Sequence, residues 1–206
     1  AIIYARESLN TKVRGKKDLD RLVIPFVGEI PDCSPQKSII KTLLEKKDKK
    51  KKNIVKTRQY IIKEGSRDVV NEAFRVVRTN IDFMAKDKSK NTILFTSFNP
   101  GSGKSFIAAN LGLSFAIKGK KVLIIDGDLR HGSASAYVNC PSHGLCDYLS
   151  GSSNDWRKFV VKDSNYPNLQ VLPIGKVPPN PTELLEEGNF ERILQEARPD
   201  YDYIFI

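Results

Sequence analysis

The run GSGKS, residues 101–105, and the pair of carboxylates closing KVLIIDGDLR, residues 121–130, are the parts of this sequence equipped for chemistry. Glycines 101 and 103 let backbone N–H groups approach an anion closely. Lys104 adds a mobile positive charge, and the Ser105 hydroxyl is an oxygen ligand of the kind Mg²⁺ takes. A lysine in the first turn of a helix opposes the helix macrodipole, so a merely structural Gly-rich turn does not account for it. A bound phosphate does, because it satisfies both the dipole and the lysine. Asp126 and Asp128 end a run of four apolar residues, Val122 to Ile125, typical of a strand buried on both faces. As an isolated pair they would merely cap a turn. Facing a polyphosphate they would repel it unless a divalent cation lay between, so the pair predicts Mg²⁺.

The elements that must position these groups follow from periodicity. TILFTS, residues 92–97, reads as a strand, and KSFIAANLGLSFAIKG as an apolar helix stopped at Gly119. A strand over 121–126 follows, then a long Gly-, Pro- and Ser-containing loop with a short helix around GLCDYLSG. Next come a strand NLQVLPI, a Pro-rich turn KVPPNP, a helix from about Thr182 to Ala197, and a final strand DYIFI. Strands without apolar alternation, separated by helices, imply an α/β fold with a mostly parallel sheet covered on both faces. Ligands then gather at the carboxyl ends of the strands. The strand after the phosphate-loop helix is expected beside the strand before the loop, with Asp126 and Asp128 over the phosphates. This context makes GSGKS a P-loop, although Phe98 stands where the full pattern has its first glycine.

Upstream, DVVNEAFRVVRTNIDFM, residues 68–84, sets Val69, Ala73, Val76, Val77, Ile81 and Met84 at helical spacing. Glu72, Arg75 and Arg78 form a stripe on the same helix. The chain has 206 residues, 40% of them hydrophobic and 28% charged, and a net charge of +10, which fits a soluble α/β domain with appended sequence. Three cysteines, Cys33, Cys140 and Cys146, lack metal-ligand spacing and are odd in number, as expected in a reducing compartment. We divide the chain into a basic segment 1–32, a lysine-rich linker 33–57 and a P-loop domain 58–206. The linker's KKDKKKK, Lys46–Lys52, is either a solvated tether or a contact for anionic lipid, at ~1 kcal/mol per basic residue. It lacks interleaved aromatic residues, and no helix-turn-helix or RNA-binding signature accompanies it, so no nucleic-acid partner is expected. No apolar run reaches 18 residues. The opening AII, followed by Arg6, Lys12, Arg14, Lys16, Lys17 and Arg21, is compatible with the trailing end of a membrane helix under the positive-inside rule.

Together these stretches resemble the cytoplasmic domain of the bacterial tyrosine kinases (BY-kinases), the autokinases of capsule and exopolysaccharide export. NPGSGKSFIAANL is similar to their Walker A motif and VLIIDGDLR to their Walker A′. EAFRVVRTN matches their E-x-x-R-x-x-R assembly helix, and LVIPFVGEIP their juxtamembrane piece. GLCDYLSG and LPIGKVPPNPTELL follow in the family's order, and YDYIFI resembles the approach to Walker B.

The resemblance implies a P-loop NTPase-like fold and an ATP- and Mg²⁺-dependent autokinase acting in trans within a ring. Pro100, Gly101, Ser102, Gly103, Lys104, Ser105 and Phe106 would bind nucleotide. Ser105, Asp126 and Asp128 would serve the metal, and Lys104, Asp126 and Asp128 catalysis; we place Asp126 nearer the metal and Asp128 nearer the tyrosine hydroxyl, although either carboxylate could serve as the base. Glu72, Arg75 and Arg78 would lie at a subunit interface. A transmembrane polysaccharide co-polymerase region, its own or fused, and a cognate tyrosine phosphatase would be partners at the cytoplasmic face of the inner membrane.

The family's Walker B aspartate is expected just after Ile206, and its C-terminal tyrosine cluster is absent from this string, which is therefore read as a fragment. Its seven tyrosines, Tyr137, Tyr148, Tyr201 and Tyr203 among them, are scattered, and none stands out as a phosphorylation site. Two other readings are weighed: a dimeric ATPase switch of the chromosome-partitioning type, and a nucleotide-binding assembly module without kinase activity. Asn99 occupies the place of the switch proteins' signature lysine, which argues against the first.

Overall fold

The computed structural model describes residues 24–33, 58–85, 91–186 and 189–206, together with Leu19. Most of the basic segment and the lysine-rich linker, including Lys46–Lys52, lie outside the described residues. Helix α1 spans Val69–Met84, β1 Thr92–Ile93, α2 Lys104–Ala116 and β2 Val122–Ile125. A 3₁₀ turn Ser135–Val138, helix α3 Leu145–Leu149 and a second 3₁₀ turn Trp156–Phe159 follow. The chain then forms β3 Val161–Lys162, β4 Leu169–Leu172, α4 Pro181–Glu186, α5 Asn189–Ala197 and β5 Tyr203–Phe205.

The sheet has the order β1-β5-β2-β4-β3 and is parallel except for β3, which pairs antiparallel with β4. One expectation is corrected here. The strand following the phosphate-loop helix, β2, is not the neighbour of β1: β5 lies between them, pairing Ile204 with Thr92 on one side and with Leu123 on the other. A crossover long enough to carry a helix can skip a strand position, so sequence order does not fix spatial order. β1 is also shorter than the run TILFTS, although Phe95 N still donates to Ile206 O at 2.8 Å. In the region anticipated as a helix over 182–197, the described residues are helical over Pro181–Glu186 and Asn189–Ala197.

The unalternating apolar strands are explained by two cores. Val122, Ile124, Leu169, Val171, Tyr203 and Phe205 face a cluster built with α1 and α2. Leu123, Ile125, Leu172 and Ile204 face the opposite cluster, built with α3, α4 and α5. Alternate residues of each strand thus serve different layers, and both must be apolar. Every residue of α2 from Ala108 to Ala116 is buried. At Gly112 an added Cβ would stand 3.1 Å from Ile124 Cδ1 and 3.2 Å from Leu169 Cδ1, so glycine lets this helix approach the sheet.

Asp68 caps α1, accepting from Val70 N at 3.0 Å and Asn71 N at 2.9 Å. The face α1 buries differs from the one its spacing predicted. Phe74 and Val77 are in the core with Val70 and Ile81 packed against it, whereas Val69, Val76, Phe83 and Met84 are exposed. The residues 24–33 lie against α1: Asn80 Nδ2 donates to Val27 O at 2.7 Å, and a Cβ at Gly28 would meet Val77 Cγ2 at 2.6 Å.

Asn110, fully buried on α2, fastens the entry segment to the domain. Its Oδ1 accepts from Ile61 N at 2.8 Å and Ile62 N at 3.3 Å, and its Nδ2 donates to Phe106 O at 2.9 Å. Asn110→Ala strands these backbone donors in the core and is expected to lower stability by about 1–3 kcal/mol. Chemical denaturation checks this, and an unchanged unfolding midpoint would remove the clamp.

Candidate functional site

The carboxyl ends of β1, β5 and β2 and the N-terminus of α2 converge on one region. The loop leading into α2 makes its turn through Gly101 at φ 78° and Gly103 at φ 97°, both in the left-handed region that side chains disfavour. Nothing lies within 4 Å of a Cβ built at either position. Backbone conformation is what demands glycine here, and the space beside it is left open. Ser102 Oγ bridges Ser97 Oγ at 2.6 Å and the Asn99 carbonyl at 2.5 Å, and Lys104 Nζ donates to Ser97 Oγ at 3.2 Å. Phe98, which replaces the pattern's first glycine, is fully exposed.

Two of the cavities at this loop share its Lys104 and Ser105. One, of about 550 Å³, is bordered by Lys104, Ser105, Asp126 and Asp128, with Phe95, Leu185 and Phe190 on its apolar side. The other, of about 700 Å³, is bordered by Pro100, Gly101, Gly103, Lys104, Ser105, Phe106 and Asp128, and across from them by Arg58, Gln59, His131 and Tyr137. Lys104, Ser105 and Asp128 belong to both. The structure therefore brings Pro100, Gly101, Gly103, Lys104, Ser105 and Phe106 together with the two aspartates, whereas Ser102 borders neither cavity.

The two aspartates are held differently. Asp126 is 3% exposed, and its Oδ2 accepts from Ser135 N at 2.6 Å and Ser135 Oγ at 2.7 Å. Burial pushes its pKa up, while the Ser135 donors oppose the shift. Asp128 is partly exposed, with His131 Nδ1 3.2 Å from its Oδ1. A serine hydroxyl, carboxylate oxygens and phosphate make an all-oxygen donor set, which suits a hard divalent cation such as Mg²⁺. Among the described residues no group of three or more His, Cys, Asp or Glu is clustered for a metal, so phosphate oxygens and water would complete the shell.

Glu72, Arg75 and Arg78 border neither cavity. Glu72 and Arg75 pair with each other on the surface of α1. Arg78 instead reaches α2, donating through Nη1 to the Ser114 carbonyl at 2.9 Å and to Ser114 Oγ at 3.0 Å.

Sequence reasoning missed Arg58, Gln59, His131, Ser135 and Tyr137. None belongs to a spaced motif. Arg58 adjoins the lysine-rich linker in the chain and reaches the loop because the entry segment is fastened to α2. Its backbone N–H donates to Ala136 O at 3.0 Å, and its charge opposes the rise that burial imposes on the Tyr137 hydroxyl. Tyr137 in turn stacks on Tyr60 at 4.9 Å.

A family model described as an AAA domain matches residues 90–206, more than half of the chain. The tyrosine-protein kinase ptk of Acinetobacter johnsonii is 33% identical over 202 residues, 98% of this chain and 26% of that protein. The tyrosine-protein kinase YwqD of Bacillus subtilis is 40% identical over 135 residues, 65% of this chain and 56% of that protein. The solved kinase domain of the Escherichia coli tyrosine kinase ETK superposes with a TM-score of 0.73 at 29% identity, covering 92% of this chain and 70% of that one. The chain belongs to the bacterial tyrosine kinase branch of the AAA-domain family. It spans about a quarter of the Acinetobacter protein's length and somewhat over half of the Bacillus one's. P-loop domains of this family bind nucleotide. No helix among the described residues of this BY-kinase domain is long and apolar enough to cross a membrane.

Arg58→Ala removes a cation that borders the larger cavity together with the phosphate loop. Affinity for Mg-ADP, measured by calorimetry, is expected to fall about tenfold, in line with the worth of one hydrogen bond to a charged group. Unaltered affinity would take Arg58 out of the nucleotide site.

Proposed function

We propose that this domain is the catalytic part of an ATP-dependent protein-tyrosine autokinase that phosphorylates tyrosines in trans within a ring. The observation that carries the proposal is the single cavity bordered by Lys104, Ser105, Asp126 and Asp128, with an apolar flank beside the carboxylates. The loop amides and Lys104 bind the β- and γ-phosphates of ATP. Ser105, Asp126 and Asp128 hold Mg²⁺, which when bound neutralises charge on those phosphate oxygens. Asp126, tethered and buried, keeps a fixed carboxylate. Asp128, more exposed, accepts the proton of the incoming tyrosine hydroxyl as that oxygen bonds to the γ-phosphorus and the bond to the ADP oxygen breaks. Most of the rate gain comes from positioning and charge neutralisation.

Ring assembly runs through α1, and the exposed Glu72–Arg75 pair together with Val69, Val76 and Phe83 supports this reading. A transmembrane co-polymerase region at the cytoplasmic face of the inner membrane, anionic lipid at Lys46–Lys52, and a cognate tyrosine phosphatase complete the proposed setting of capsular or exopolysaccharide export.

Incubating the full-length protein with labelled ATP and Mg²⁺ is expected to yield phosphotyrosine, and Lys104→Met to abolish it. Release of free phosphate without phosphotyrosine would overturn the kinase reading in favour of an ATPase switch. The combined Glu72→Ala, Arg75→Ala variant is expected to lower the mass seen by light scattering to that of a monomer, and an unchanged mass would dismiss the α1 interface.

A further inference from the structure

Asp126 would be a poor catalytic carboxylate if it were free to turn, and Ser135 is what prevents it. Both residues are buried, Asp126 at 3% exposure and Ser135 at 2%. The Ser135 hydroxyl has one proton to donate, and its oxygen already accepts from Ile174 N at 3.0 Å. An amide N–H can only donate, so the hydroxyl proton must point the other way, into Asp126 Oδ2 at 2.7 Å. The Ser135 backbone N–H donates to the same oxygen at 2.6 Å. Two donors thus hold Oδ2. Among the described residues Oδ1 accepts only the long contact from Asp128 N at 3.3 Å, and Asp126 borders the cavity shared with Lys104 and Ser105.

From this arrangement we infer that Ser135 is a positioning residue for the phosphoryl-transfer site, locking one oxygen of Asp126 so that the other is presented to the metal and phosphates. The inference rests on the kinase reading and deepens it. Ser135 borders neither cavity at the loop, so it reaches the site through Asp126. It also ties the end of β2 to the turn after β4 through Ile174, giving Asp126 a support that does not depend on its own strand.

Outer partners that orient a metal-binding carboxylate are worth about 10- to 100-fold when removed. In the full-length protein, Ser135→Ala is therefore expected to lower kcat for tyrosine phosphorylation at least tenfold. Independently of catalysis, the gain in ADP affinity on adding Mg²⁺, read by calorimetry, is expected to shrink by a similar factor, with metal-free ADP affinity unchanged. Ser135→Thr keeps the hydroxyl and should restore both quantities. Val138→Ala thins the same 3₁₀ turn without touching Asp126, and should leave both at wild-type values.

A Ser135→Ala protein with wild-type kcat and wild-type Mg²⁺ gain would overturn the inference, as would a Val138→Ala loss equal to it. If the wild-type protein makes no phosphotyrosine, the kinase reading falls, and the Mg²⁺-dependent ADP affinity still decides the role of Ser135.

Discussion

Burial of α2 is the constraint around which the rest is arranged. A helix whose residues from Ala108 to Ala116 all lie in the interior must be covered on every side, yet its first turn must stay open if an anion is to reach the N–H groups there. The sheet covers one flank through the close approach at Gly112, and α1 covers another with Phe74 and Val77. Residues 60–62 close part of what is left, held by the Asn110 side chain rather than by a strand or helix of their own. The open end is thus framed by groups that reach it from distant parts of the chain: Arg58 ahead of α1, Asp126 and Asp128 from β2, and Tyr137 from the loop after them.

What was legible in the sequence was local. GSGKS and Asp-Gly-Asp declare themselves because their chemistry depends on neighbours a few residues away, and the positive φ of Gly101 and Gly103 agrees with that reading. The alternating strand-helix order and the double-sided burial also followed from pattern alone. The face of α1 did not. Its sequence offers valines on more than one side, so spacing could not choose, and packing took Phe74 and Val77 while leaving Val69 and Val76 at the surface. The neighbour relations of β5 and the part played by Ser135 were beyond reach for a related reason. Both depend on where a crossover lands, and no residue type announces that.

The bond from Arg78 to Ser114 has a bearing on how the two halves of the proposed function meet. It joins the helix bearing the exposed Glu72–Arg75 pair to the helix that begins at the phosphate loop. A partly buried guanidinium with two fixed acceptors is a stiff connector, since its planar fork loses little further freedom on bonding. The surface of α1 and the helix behind the loop are thereby fastened to each other.

The place of β5 between β1 and β2 also sets an order of events in synthesis. Among the described residues β1 is paired with β5 alone. The strand that leads into the phosphate loop is made before its partner, which comes more than a hundred residues later, as the separation of Thr92 from Ile204 requires. Such a non-local pairing forms late, because the intervening chain must be closed before the contact returns anything. On the ribosome the loop's supporting strand has no edge to bind until Tyr203–Phe205 clear the exit tunnel. Until then it is an apolar strand awaiting its neighbour, exposed to wrong pairing.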